Sequence, residues 1–93
     1  MQILKDPRYY TDLTEIMEFI AQDSLQNAID FQNELDKMIE NCAYFPYKHR
    51  QSIYFDDKNI RDLIFKGYVV PYVVDDERAI LTVLGIIKWK SAF

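Results

Sequence analysis

Cysteine and histidine are nearly absent from this sequence, with Cys42 and His49 each standing alone. A single cysteine excludes an internal disulfide and any cysteine-rich zinc site, so no metal and no cofactor is expected. A Cys–His nucleophilic pair would need these two residues to meet. Cys42 falls instead on the apolar face of a predicted helix, where it reads as a buried, inert thiol. Long hydrophobic runs are also missing. The longest, Tyr68 to Val74 and Ala79 to Ile87, are strand-sized and well short of the roughly 20 residues that cross a bilayer. Met1 to Lys5 runs directly into Asp6, Pro7 and Arg8 without the apolar stretch of a secretory leader. The expectation is a cytoplasmic protein without membrane contact. An excess of positive charge is lacking too: 11 Lys and Arg face 15 Asp and Glu, a net charge of −4. Such a balance speaks against indiscriminate nucleic-acid binding, whose affinity comes mostly from neutralised phosphates.

What is present is apolar surface, 49% of residues with 15% aromatic, enough for one compact core in a chain of 93 residues. The expectation is a single domain over 1–93. A core this small leaves apolar surface that a partner can cover.

Gln2 to Lys5 suits a short first strand. Asp6 followed by Pro7 is a helix start, a capping carboxylate with proline at the first helical position. Leu13, Ile16, Met17 and Ile20 then form one apolar stripe. Asp23 and Ser24 interrupt it and cap a second helix bearing Ala28, Phe31, Leu35, Met38, Ile39 and Cys42 at helical spacing. So short a connection predicts an antiparallel helix hairpin. Phe45-Pro46 ends the second helix, because a residue before proline avoids helical geometry.

From Tyr47 onward the texture is β-rich. Strands are predicted over Gln51 to Phe55, Ile60 to Lys66, Tyr68 to Val74 and Arg78 to Ile87, with turns at Asp56 to Asn59, near Gly67 and at Asp75 to Glu77. Short turns imply an antiparallel meander. Pro71 cannot donate to a ladder, so a local bulge is expected there. The fold class is therefore α+β, an N-terminal strand and a helix hairpin packed on a small antiparallel sheet. No repeat, low-complexity tract or linker is visible.

Several segments together carry a resemblance. They are Asp12-Leu13-Thr14-Glu15-Ile16 leading to Phe19-Ile20-Ala21, Asn27-Ala28-Ile29-Asp30-Phe31, and Phe45-Pro46 before the basic Lys48-His49-Arg50. Ile60-Arg61-Asp62-Leu63 follows, then Gly67-Tyr68-Val69-Val70-Pro71-Tyr72 and an apolar strand before a basic tail. With the order of elements, the chain resembles the RelE/ParE toxin superfamily along its length, closer to ParE-like members. The resemblance implies the toxin of a bacterial type II toxin–antitoxin system, of the kind linked to plasmid stabilisation and growth inhibition, with a cognate antitoxin as first partner.

Members divide mainly into ribosome-dependent messenger RNA endoribonucleases and inhibitors of DNA gyrase. A metal-free ribonuclease must activate a 2′-hydroxyl, stabilise a crowded phosphate with cations and protonate a leaving oxygen. In that branch the resemblance leads one to expect an arginine after the Gly-Tyr pair and a His or Tyr in the tail. This chain has Val69 and Lys88-Trp89-Lys90-Ser91-Ala92-Phe93. The acidic balance and this tail favour a protein target over RNA, and gyrase is the target the resemblance then implies, with the ribosome and messenger RNA as the alternative and a degenerate, nontoxic binding module as the third reading.

For a ribonuclease the catalytic candidates are Arg61, His49, Lys88 and Lys90. Arg50, Arg61 and Lys66 are candidates for holding a phosphate or the target, in a cationic cluster with Lys88 and Lys90 if the strand ends align. Asp62 is the neighbour expected to orient Arg61. For each cation the plainer reading is a solvated strand end, and for His49 a surface loop residue. Trp89 and Phe93 are candidates for contact with the antitoxin or with a second copy in a homodimer, and packing of the tail on the helix hairpin would explain them equally well.

Overall fold

The computed structural model describes residues 1–89. Asp6 caps α1 (Pro7–Ala21), its carboxylate accepting the Arg8 N–H at 2.9 Å. Ser24 caps α2 (Leu25–Tyr44) by accepting the Asn27 N–H at 3.1 Å, and Phe45 closes it ahead of Pro46. Both helix starts and the proline stop follow the sequence expectation. The apolar stripe of α1 begins one turn earlier than expected, at the fully buried Tyr9. On α2 Met38 lies outside the stripe and is exposed, while Ala28, Phe31, Leu35, Ile39 and Cys42 are buried.

The five strands are β1 (Gln2–Lys5), β2 (Ile60–Phe65), β3 (Tyr68–Asp75), β4 (Ile80–Val83) and β5 (Ile87–Lys88). Their order is β1-β4-β3-β2, with β5 also paired to β3. The β2–β3 hairpin turns at Lys66 and Gly67, with φ of 47° and 82°. Two successive positive φ values match the twist of the flanking strands. The β2–β3–β4 meander is antiparallel as expected. The sheet as a whole is mixed, because β1 pairs in parallel with β4, Gln2 opposite Ile80. A helix hairpin separates β1 from the meander, so no tight turn dictates its direction.

Side chains alternate along β3. Val70, Tyr72 and Val74 join Leu63, Phe65, Leu81 and Val83 under the two helices in one core with Leu13, Phe31, Leu35 and Ile39. Val69 and Pro71 point to the opposite face and are also buried. A strand buried on both faces explains the continuous apolar run from Tyr68 to Val74.

Three strand expectations need correction. Gln51 to Phe55 is not a strand: only Gln51 bridges to Arg61. Beyond it the Asp62 carboxylate takes the Ile53 N–H and the Ser52 hydroxyl takes the Tyr54 N–H. Side-chain acceptors here outcompete a ladder. The predicted strand from Arg78 to Ile87 starts later, at Ile80, and is split into β4 and β5. That split also resolves Pro71.

Pro71 sits in register opposite Asp62 without a bulge in its own strand. The irregularity lies across from it. Between the pairs Tyr72–Val83 and Val69–Ile87, two residues of β3 face three, Leu84, Gly85 and Ile86. The Pro71 carbonyl accepts the Leu84 N–H at 2.9 Å, so its missing donor faces this break, where no ladder bond is lost. The Ile86 N–H, turned away from β3, donates to the Asp12 carboxylate of α1 at 2.9 Å. Gly85 permits that approach, since a Cβ there would stand 3.0 Å from the Asp12 oxygen.

Candidate functional site

Arg61 is the second residue of β2, on the helix-bearing face and directly opposite Tyr72. Its guanidinium donates to the backbone carbonyls of Lys58 at 3.0 Å and His49 at 3.2 Å, and lies 4.8 Å from the centre of the Tyr47 ring. The Tyr47 hydroxyl donates to Asp76, which holds the phenol pKa above its ordinary value. Tyr72 donates its hydroxyl to the Pro46 carbonyl at 2.6 Å, and burial raises its pKa. Arg61, Tyr47 and Tyr72 thus tie the connector between α2 and β2 to the sheet from both of its ends.

His49 packs edge-on against Tyr72 at 6.3 Å between ring centres. Burial, and then the Lys48 charge, lower its pKa below the usual imidazole value. The unfolded chain therefore binds this proton more readily than the folded one. Stability from this site is full above the unfolded value of about 6.5 and is lost as pH falls below it. Replacing His49 with glutamine is expected to flatten the dependence of the unfolding midpoint on pH between about 5 and 7. An unchanged slope would show that His49 titrates alike in both states.

Arg50 belongs to the other face. Asp62 follows Arg61 along β2 and so points away from it, which overturns the expectation that Asp62 orients Arg61. The Asp62 side chain is fully buried and accepts Arg50 Nη2 at 3.2 Å, Arg50 Nε at 3.3 Å and the Ile53 N–H at 3.2 Å, all on one oxygen. Its second oxygen has no partner among the described residues. The Arg50 guanidinium also stands 5.6 Å from the centre of the Trp89 ring. Trp89 thus touches the sheet's outer face, and its N–H donates to the Gly67 carbonyl at 2.9 Å. That contact departs from the alternative of packing on the helix hairpin.

The remaining cations lie elsewhere. Lys66, in the hairpin turn, pairs with Glu34 of α2 at 2.6 Å, and five strand steps put it roughly 16 Å along β2 from Arg61. Lys88 sits in β5 opposite Tyr68. Lys90 and Phe93 lie outside the described residues. Three members of the expected cluster are therefore dispersed: Arg50 and Arg61 are on opposite faces of the sheet, and Lys66 is at the far end of the hairpin from Arg61. Cys42 is buried as expected, and burial raises its thiol pKa. No group of three or more His, Cys, Asp or Glu able to hold a metal occurs among the described residues. No described helix is long and apolar enough to cross a membrane.

Sequence reasoning missed Asp12, whose carboxylate reaches from α1 to accept the Ile86 N–H at the break between β4 and β5. It lies off the apolar stripe of Leu13, Ile16, Met17 and Ile20, and its partner is 74 residues away in sequence. Beside it a hollow of about 270 Å³ opens between α1 and β5, lined by Asp12, Glu15, Ile16, Phe19, Tyr68, Ile86 and Lys88.

Comparison with known proteins gives one family and one fold. A family described as the ParE toxin of the type II toxin–antitoxin system parDE matches residues 4–92. A solved chain from "Chromosomal ParDE TA system from P. aeruginosa" has a TM-score of 0.77 at 14% identity, over 97% of each chain. At that identity the likeness is one of fold. A search of curated proteins finds no match. With the family pattern spanning nearly its whole length, the chain belongs to the ParE toxin family of type II toxin–antitoxin systems.

Proposed function

We propose that this chain is a growth-arresting toxin that acts by binding a protein, DNA gyrase, and that a cognate antitoxin neutralises it. The observation that carries the reading is the dispersal of its cations. A metal-free ribonuclease needs cations and an acid–base group around one phosphate. Here Arg61 is engaged with two carbonyls of its own connector, Arg50 with Asp62 and Lys66 with Glu34. His49 is partly buried against Tyr72 with a lowered pKa, on the opposite side of the sheet from Arg50. The net charge of −4 adds to this, since an RNA-rich surface favours cationic partners.

The test is pulse labelling after induced expression in bacteria lacking the antitoxin. Thymidine incorporation is expected to fall within the first minutes while methionine incorporation continues. Early loss of methionine incorporation would overturn the reading in favour of RNA cleavage. No effect on either would leave a nontoxic binding module.

A further inference from the structure

β1 ends the strand order, and β4 is its one strand partner among the described residues. The Gln2 N–H donates to the Ala79 carbonyl at 2.8 Å and the Asp6 N–H to the Val83 carbonyl at 2.9 Å. Gln2, Leu4 and Asp6 therefore turn their backbone groups toward β4, while Ile3 and Lys5, alternating with them, turn theirs to the outer edge. No strand lies on that side, and no loop or turn bonds to it among the described residues. Side chains alternate as well. Ile3 packs against the core beneath the helices, whereas Leu4 lies on the other face of the sheet and is 43% exposed. α2 flanks the edge: Lys5 pairs with Asp36 at 3.6 Å, and Glu40 shares two hollows with Ile3, of about 630 and 250 Å³. Glu40 itself has no ion pair among the described residues.

We infer that this edge is a homodimer interface, at which β1 of a second copy adds in antiparallel register about a two-fold axis at Leu4. In that register Ile3 faces Lys5 of the second copy, and Lys5 faces its Ile3. Each pair exchanges two backbone hydrogen bonds, which satisfies every outward group of both strands. Leu4 meets Leu4 across the axis, covering an apolar side chain that a single chain leaves exposed. On the helix side Lys5 of the second copy stands opposite Ile3 and so beside Glu40, the acid without a partner in one chain. By symmetry this charge pairing occurs twice. The shortness of the edge selects a second copy over a loose peptide. A peptide must be ordered from coil for a few hydrogen bonds, whereas β1 of another copy arrives already held by its own β4.

Sedimentation velocity over a range of concentrations tests the interface, with the wild-type protein expected to pass from monomer to dimer. Leu4→Asp sets two carboxylates against each other at the axis and is expected to weaken the dimer at least about tenfold. Glu40→Lys, which places two cations side by side, is expected to weaken it about threefold to tenfold. Hydrogen exchange on the wild-type protein supplies a readout that needs no substitution. The Ile3 and Lys5 amides are expected to gain protection as concentration rises, while those of Gln2 and Leu4, already bonded to β4, change less.

A wild-type protein that stays monomeric up to about 1 mM, a dimer unaltered by Leu4→Asp, or a dimer whose Ile3 and Lys5 amides stay unprotected each overturns the inference. Protection of these amides only when an antitoxin is added assigns the edge to that partner and overturns it as well.

Discussion

Asp62→Ala is expected to lower the melting temperature by about 15 °C, through a loss of roughly 2–3 kcal/mol in a domain of this size. One fully buried carboxylate oxygen accepts three hydrogen bonds, two from Arg50 and one from the Ile53 N–H. Removing it strands the amide and frees the segment that crosses the outer face of the sheet. Arg50 is 40% exposed at its side chain and can turn to water, so the loss falls short of that for a wholly buried pair. Asp62→Asn keeps an acceptor for Ile53 and should lose less. Thermal unfolding followed by circular dichroism checks both variants. A fall of less than about 4 °C for Asp62→Ala, near 0.5–1 kcal/mol, would show that Ser52 and the Gln51 bridge hold the segment unaided.

Phe31→Ala is expected to be larger still, about 4 kcal/mol. Phe31 is the point where α2 meets the hairpin, with its ring edge-on to Phe65 at 5.1 Å and to Tyr68 at 5.7 Å. At 5% exposure its removal combines lost transfer energy, a cavity and two aromatic contacts. Small domains have only about 5–15 kcal/mol in total, so the variant should unfold at a much lower urea concentration. Phe31→Leu should recover more than half of the loss by filling most of the space. Equal midpoints for the alanine and leucine variants would mean that the cavity contributes little and that ring geometry dominates.

The parts of this fold legible in the sequence are those with local causes. Asp6-Pro7 and Ser24 announce helices because a cap and its amides lie within three residues of each other. Phe45-Pro46 announces a stop for the same reason. The family assignment is legible because many such segments occur in order over the whole chain. Contacts between distant residues are not legible in this way. Asp12 reaches Ile86, and Asp62 reaches Arg50 and Ile53; nothing near Asp12 in sequence names its partner, and the sequence neighbour of Asp62, Arg61, is the wrong one. The misplaced strand at Gln51 to Phe55 has the same origin, since its alternating apolar residues satisfy a strand pattern that Asp62 and Ser52 override. The site suffered most. Arg61 stands out in the sequence, yet it is held by carbonyls of Lys58 and His49, and no side-chain pattern foretells a carbonyl.

The parallel pairing of β1 with β4 bears on how the protein is made. Gln2 has its strand partner at Ile80, so β1 must wait for both helices and the β2–β3 hairpin to be made before it can join the sheet. Pairings this distant in sequence are slow to form, because the intervening loop must close before any contact rewards it. The helix hairpin and then the β2–β3 hairpin, both local, can assemble while synthesis continues. A nascent chain stopped short of Ile80 lacks β4 entirely, leaving β1 unpaired and one side of β3 bare. Completion of the sheet therefore waits until β4 has been made, after both hairpins have had the chance to form, and until then β3 keeps one side open.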